Sequence, residues 1–545
     1  MKYYNYIKAA IFFLFIAYSI SCTKLDQKLN STLTNEEAAN TFDASLFLQT
    51  AYYDLGYRYS DLGRVFALEE VPADETIVPT RGGDWDDNGK WRALHQHAWT
   101  ADNVNTFNDE FNGLNKVQFD ATNVLNFKPS AEQAAEARFI RAFALYQLLD
   151  LFGQFPYRDP GENLLNAPKV YSGDSAIQFI INELNAVIPD LDSKSPITKA
   201  TPEAAKMLLM KVYLNRGAFL NRQSPTFDDA DMQKVISLGN EIINSGKYSF
   251  SSNYWDIFSP HNSSNSEAIF ATANSSGVST NNTGISNYWW STLHYNQYDV
   301  LAPAAGWNGF STVAEFYNSF GTSTATTQTP KDTALDMRIG GRYYPGVTNV
   351  SGVRTGLLIG QQYDQDGNKY FDRKGNSLIF TPDVSPDLKE TGNLLEDKGI
   401  RVIKYLPDYS LGSSSYNSAG NWLMLLRYSD VVLMVAEAKM RSAAPDDAGA
   451  LALVNQLRAA RDAQPLTSMV LVNPDNVYDA HTLLAERGRE LYWESVRRTD
   501  LIRFGVFLKP WAYKSNDDAH FLLYPLPPAA LASNPNLKQN EGYGQ

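Results

Sequence analysis

Cysteine is almost absent: the 545 residues hold one, Cys22. No intrachain disulfide can form, unlike in small secreted domains stapled by even, dense sets of bridges. Histidine is scarce at six residues, and neither His-Glu-x-x-His nor Gly-x-Ser-x-Gly occurs. His95-Gln-His97 could present two imidazoles on one side of a strand, but a metal site needs further ligands. Positive charge is in deficit, with a net charge of -13 and a pI near 5.1. That is the reverse of the basic footprint that nucleic-acid phosphates or anionic lipid require. Past the N-terminus, no apolar run is long enough to span a bilayer, which takes about 20 residues. Aromatics, by contrast, are plentiful at 13%, with 31 Tyr and 10 Trp. Most of these should fill a core, but the excess points to a ligand surface.

The N-terminus indicates export. Lys2 and Lys8 precede Ala9 to Ile20, which carries no charge and is too short to cross a membrane but fits the central region of a secretory signal. Ser21–Cys22 follows, a small residue before a cysteine, and resembles a bacterial lipoprotein cleavage site. Ser19 departs from it, standing where the commonest pattern has Leu. The expectation is a signal peptide over residues 1–21, an acylated Cys22 held in lipid, and a polar tether over 22–35. One acyl chain holds only marginally and several hold durably.

From residue 36 the pattern is mainly α-helical. Apolar residues recur at helical spacing over Glu36–Arg58, Ala131–Phe152, Ser175–Ile188, Pro202–Leu220 and Asp231–Ser245. Asn35 and Thr201 are the expected N-caps, Pro202 fits a first helical turn, and Gly153 closes the 131–152 helix. Further helices are expected at Leu426–Ser442, Ala448–Arg461, Leu483–Ser495 and Arg498–Phe507. Paired helices at a rough period of 35–60 residues suggest an irregular solenoid of the tetratricopeptide kind. Residues 72–113 are rich in Gly, Asp, Asn and Trp, which favours loops. Residues 251–420 form a large loop-rich insertion, with short strands expected at Gly356–Ile359, Leu378–Phe380 and Ile400–Tyr405. A structureless loop that long is foreign to a compact domain, so it should fold. An extended tail fills 511–545.

Several segments together resemble one family. They are Arg427–Glu437 (RYSDVVLMVAE), 449–461 (GALALVNQLRAAR) with Asn455, Arg458 and Arg461, and 484–504 (LAERGRELYWESVRRTDLIRF), which holds Arg-x-Asp-Leu-x-Arg. The tail from Tyr524-Pro-Leu-Pro through Asn534, Pro535, Leu537, Gln539, Asn540 and Tyr543 belongs with them, as does 136–157 (EARFIRAFALYQLLDLFGQFPY). The chain is similar to SusD-like (RagB/SusD) outer-membrane lipoproteins of Bacteroidota over most of its length. It departs at Ser495 or Val496, where the family usually has Gly before the first of those arginines. The resemblance implies a single domain over 36–545, with tetratricopeptide-like pairs at 36–250 and 421–510 supporting the insertion. It also implies a cell-surface lid over a SusC-like TonB-dependent transporter and a ligand that is usually a glycan, occasionally a peptide. No catalytic residue carries over, and contacts vary among members, so the binding residues are argued from this chain.

Glu486, Glu490 and Glu494 lie one helical turn apart among arginines. Glycoside hydrolysis needs carboxyls facing each other across a sugar, which one helix does not provide, so ion pairing with neighbouring helices is expected. Asp364-Gln-Asp366-Gly367-Asn368 begins like a calcium loop but puts Lys369 and Gly375 where an EF-hand needs Gly and Glu. A hairpin turn at Asp366-Gly367 accounts for it; a structural calcium of other geometry is the alternative, and no other cofactor is called for. The aromatic loops are the candidate site. Arg81, Asp84, Trp85, Asp86, Asn88 and Trp91 form one group, near Trp99. Tyr288, Trp289, Trp290, Tyr295, Trp307 and Asn308 form a second, with Tyr298 between. Sugar rings stack their C–H faces on aromatic planes while Asp, Asn and Arg bond hydroxyls. The expected function is capture of oligosaccharide or polysaccharide between these groups for delivery to the transporter. Peptide capture and surface hydrolysis are the rivals.

Overall fold

The computed structural model describes residues 41–275, 283–297, 306–321, 336–340, 355–363, 368–407 and 419–544. Cys22, the signal and tether segments, Tyr298 and the turn Asp364–Gly367 lie outside them. Ala44–Gln545 forms one compact unit. Ten helices make the scaffold: α1 Ala44–Tyr59, α2 Thr106–Val124, α3 Ala131–Phe152, α4 Gly173–Val187, α5 Pro202–Leu220, α6 Asp229–Asn244, α7 Tyr428–Arg441, α8 Asp447–Ala459, α9 Leu483–Leu491 and α10 Arg497–Arg503.

Each packs on the next from α1 through α8. Thus α6 meets α7 directly, although nearly two hundred residues intervene. The insertion is an excursion from an unbroken array, as the helix pairing implied.

Local chemistry sets the helix ends. At α3 the Ser130 hydroxyl accepts from the Gln133 amide while the Gln133 side chain bonds back, and Gly153 at φ 72 closes the far end. Every residue from Phe139 to Phe152 is buried, so α3 is the central helix. Thr201 caps α5 with Pro202 in its first turn. The C-terminal tail locks onto this centre: Tyr524 donates its hydroxyl to the Leu68 carbonyl (2.6 Å), and Asn540 Nδ2 bonds the carbonyls of Phe152 and Tyr524 (3.0 and 2.6 Å).

Two expectations are corrected. Residues 72–113 are not loop throughout: β1 (Thr80–Trp85), a short helix at Lys90–His95 and the start of α2 lie there. Phe107, Phe111, Leu114, Val117, Ala121 and Val124 give α2 a buried stripe inside a polar sequence. The helix expected to Ser495 stops at Leu491, because Trp493 and Ser495 sit at φ 63 and 59.

In the scaffold β2 (Gln154–Tyr157) runs antiparallel to β3 (Lys169–Ser172), and within the insertion the short strands pair locally. β5 (Gly356–Leu358) runs antiparallel to β9 (Arg401–Ile403), and β6 (Gly360–Gln361) to β7 (Ile379–Phe380). Bridges Tyr363–Lys369 and Phe371–Ser377 extend a hairpin between them. β1 pairs in parallel with β8 (Lys389–Glu390), tying the first aromatic loop to the insertion. β4 (Ala268–Thr272) and β10 (Leu423–Arg427) mark the two ends of the excursion and pair with each other.

The acidic ladder of α9 is buried among cations. Glu486 meets Arg338, Arg458 and Arg489 at 2.6–2.8 Å, and Glu490 meets Arg427, Arg461 and Arg338 at 2.6–3.1 Å. Glu494 turns to Arg427 and Lys404. Ion pairing is therefore its structural role, and Arg338 carries it into the insertion.

Candidate functional site

The insertion brings the two aromatic groups together. Arg81, at the start of the first loop, is fully buried, and its guanidinium donates to the carbonyls of Asn308, Gly309 and Lys398 (2.7–2.8 Å) and to Ser311 Oγ. Burial lowers its pKa to about 10. It pins the loop, and Gly82 and Gly83, at φ 65 and 122, then swing the chain outward. Trp85, itself left-handed, donates Nε1–H to the Trp307 carbonyl at 2.7 Å. Tyr295 donates its hydroxyl to Asp84 at 2.6 Å. Trp85, Trp307 and Tyr295 are half-buried at the surface.

Other residues of the expected site are placed differently. Tyr288, Trp289 and Trp290 are 0–2% exposed, so they serve as core for the insertion rather than as stacking faces. Tyr288 packs edge-on against Phe66 and Tyr405. Trp91 is buried against Phe310 at 5.1 Å, beneath Trp85. Asn308 is buried too, its side chain accepting from Arg401 (2.6 Å) and donating to the Glu396 carbonyl (3.0 Å). With Arg81 it is framework. Asp86 pairs with Arg92 at 2.8 Å, and Asn88 is exposed in a left-handed turn.

A third segment, unforeseen from sequence, completes the patch. Arg373, on the hairpin after Phe371, lays its guanidinium 3.6 Å above the Tyr295 ring centre. Its Nε bonds Glu396 (2.7 Å) and its Nη2 reaches Asp84 (3.3 Å). Beneath it, His294 Nδ1 accepts from the Asn296 amide (3.0 Å), which leaves the proton on Nε2 to face Glu396 at 2.9 Å. Burial lowers the His294 pKa to about 4, keeping the ring neutral. Burial alone would raise Glu396, but the Arg373 amide and guanidinium and the His294 N–H outweigh it and hold the carboxylate below its usual range. Phe371 stands exposed beside them, its carbonyl accepting from Asn296 Nδ2. No local signal marked Arg373; its partners lie 23, 78 and 289 positions away.

This patch is open. Cavities lined by described residues lie away from this patch, with about 580 Å³ beside α1 and β4, about 490 Å³ at the C-terminal tail, and about 50 Å³ among α3, α5 and the Trp493 turn. His95 and His97 face the carbonyls of Thr76, Ala512 and Pro72 and the carboxylate of Asp517. Among the described residues no group of three or more His, Cys, Asp or Glu could hold a metal ion, and no helix is long and apolar enough to cross a membrane.

The helix-pair scaffold thus carries a half-exposed aromatic surface on a loop-rich insertion. The family model for the SusD family matches residues 266–543, more than half of the sequence, and the chain belongs to that family. It is 24% identical to the starch-binding protein SusD of Bacteroides thetaiotaomicron, over 88% of this chain and 85% of that one. It is 23% identical to SusD-like protein P25 of Formosa agariphila, over 88% and 83%. Among solved structures it is similar to a SusD superfamily protein of Parabacteroides distasonis, with a TM-score of 0.66 and 18% identity over 94% of this chain and all of that one. It is also similar to surface glycan-binding protein A of B. thetaiotaomicron in complex with laminarihexaose, with a TM-score of 0.60 and 17% identity over 91% and 98%.

Proposed function

We propose that this chain captures a glycan on the Trp85–Tyr295–Trp307 surface and passes it to a SusC-like TonB-dependent transporter in the outer membrane, where the acylated Cys22 anchors it. The observation carrying this is the convergence of two loops far apart in sequence: Trp85 bonds the Trp307 backbone and Asp84 bonds Tyr295. Aromatic planes with flanking carboxylate and guanidinium suit a sugar ring and its hydroxyls. The relatives named for starch and surface glycan binding support the same ligand class. Binding is the whole chemistry. A glycosidase acid needs a raised carboxyl that reaches the sugar; Glu396 beneath the patch is held down, and its neighbour Asp397, which burial raises to about 6, is itself buried.

Affinity electrophoresis against a polysaccharide panel tests this. Wild type is retarded by at least one glycan, and Trp85→Ala or Trp307→Ala migrates freely in the same gel. Unchanged mobility on every glycan, with calorimetric binding of peptides instead, would move the ligand class to peptide. Release of reducing ends by the purified protein would make it a hydrolase.

A further inference from the structure

We propose that the cleft between α1 and β4, about 580 Å³, is a second carbohydrate site that takes a short oligosaccharide or the end of a glycan chain. It lies where the insertion leaves the scaffold, shares no residue with the Trp85–Tyr295–Trp307 surface and does not depend on it. Segments of α1, α3 and β4, with Thr198 and Lys199, wall it. Its volume falls in the range of about 300–1,000 Å³ in which small ligands are held. Leu48, Leu55, Phe270 and Ala271 supply a buried apolar lining. Tyr52 packs on Phe270, and its hydroxyl donates to Glu136 (2.6 Å) and accepts from the Ala200 amide (2.8 Å). Tyr53 lines the cleft as well and is 46% exposed. Its ring is held in place: it stacks near-parallel on Tyr57 (6.1 Å, 16°), and the Arg64 guanidinium covers Tyr57 at 3.3 Å.

The polar lining points to the ligand class. Among the described residues, one cation and one carboxylate line the cleft, Lys199 and Glu136, and they pair with each other at 3.3 Å. Recognition therefore falls to uncharged groups. The Gln49 amide, Gln133 Nε2 and the hydroxyls of Thr198 and Thr272 make no hydrogen bond among the described residues. Together they can both donate and accept, as the hydroxyls of a sugar require, and the fixed Tyr53 ring suits its C–H groups. Tyrosine and wall are set before binding, which limits the ordering cost. A peptide would instead seek a free strand edge. Here β4 is paired with β10 on one side, and on the other its Ala271 amide already donates to the Ile197 carbonyl (2.8 Å).

A cleft walled by several segments receives a chain end, and chain ends are dilute in a polysaccharide gel. Calorimetry with short oligosaccharides is therefore the experiment that sees it. The mature chain is titrated with maltohexaose, laminarihexaose and xylohexaose. Wild type should take two molecules of at least one of them, and Trp85→Ala should keep one. In the Trp85→Ala background, Tyr53→Ala should weaken that remaining site about tenfold, the scale of one aromatic contact, and Thr272→Val about fivefold, the scale of one hydrogen bond. An unchanged thermal midpoint verifies folding of each variant. If Trp85→Ala binds none of the sugars that wild type binds, the cleft is overturned and the aromatic surface stands. Residual binding that neither Tyr53→Ala nor Thr272→Val alters overturns the cleft too, as does a wild type that binds no hexasaccharide. Binding that Tyr53→Ala abolishes and Trp85→Ala spares would keep the cleft and remove the surface. Short peptides titrating the cleft in place of sugars would overturn the ligand class.

Discussion

Gly309 lies directly beneath the indole of Trp85: a Cβ added there would fall 2.3 Å from Cε2 of that ring. The Trp85 N–H bonds the Trp307 carbonyl two residues earlier, so the ring is set both by a hydrogen bond and by the absence of a side chain below it. Sequence position 309 thus governs the attitude of a platform more than two hundred positions away.

Gly309→Ala should lift Trp85 from its seat while leaving the helical scaffold alone. We expect glycan affinity to fall about tenfold, the scale of one aromatic contact, with a stability loss of about 1–3 kcal/mol from overpacking. Affinity electrophoresis and the tryptophan emission maximum measure the two effects. Full affinity in a variant with displaced emission would show that Trp85 is not a platform.

Glu490 joins Arg427, Arg461 and Arg338 with no exposure of any partner beyond 2%. Glu490→Gln keeps the shape and removes the charge that three buried guanidinium groups share. Leaving buried charges uncompensated costs about 3–5 kcal/mol. Chemical denaturation should show the unfolding free energy falling by that amount. A change below about 1 kcal/mol would mean that Glu267 and Glu486 absorb the excess charge.

Where local chemistry decides the outcome, sequence and structure agree. The α3 helix was legible to the residue because its apolar spacing and the closing Gly153 are both local; Ser130, which the sequence pattern did not single out, caps its start. The α2 helix was obscured because its buried stripe sits among Asn and Asp, which read as loop. The site was legible as two aromatic loops but not in its facing. Trp85 and Trp91 lie in one polar stretch, yet one is at the surface and the other beneath it against Phe310. Trp289 and Trp290 looked like loop aromatics but are buried, in an insertion whose Phe310 and Tyr288 pack against Phe66 and, for Phe310, Trp493 outside it. Arg373 left no trace in sequence, since its position derives wholly from distant partners.

The pH dependence has a definite sign at two ends. Burial alone would raise Asp430, Glu437, Glu486 and Glu490, but Lys211, Arg503, Arg338 and Arg461 respectively overcome it and hold them well below the carboxylate range, Glu437 at about 2. Their contribution is complete above the ordinary carboxylate value of 4.5 and is lost as pH falls through the folded values. His97 and His294, lowered to about 4 by burial, reinforce that acid loss from 6.5 downward. Glu110 runs the other way: burial pushes it up to about 7 in spite of Arg58, so the folded chain holds its proton while the unfolded chain releases it. Its cost therefore grows as pH rises from 4.5 to 7. Calorimetry should find Glu110→Gln level with wild type near pH 4 and increasingly the more stable toward pH 7.5. A gap independent of pH would place the effect in packing instead.

Ser495 and Trp493 flank Glu494 at φ 59 and 63, two left-handed residues without glycine's freedom. The turn they make ends α9, drops Glu494 onto Arg427 and Lys404, and lets the Val496 amide reach Glu70 at 3.1 Å. Those contacts hold the backbone where a side chain disfavours it by about 1–2 kcal/mol. Ser495 is half-buried, whereas Trp493 packs against Phe66 at 5.3 Å, so only Ser495 can yield its side chain without loss of core. Ser495→Gly removes the strain at the expense of about 0.5–1 kcal/mol of extra unfolded-state freedom. The unfolding free energy should rise by about 0.5–1 kcal/mol with an unchanged denaturant slope. Ser495→Ala keeps the Cβ and the strain and should bring no gain. If alanine stabilises as much as glycine, the serine hydroxyl rather than the backbone carries the penalty.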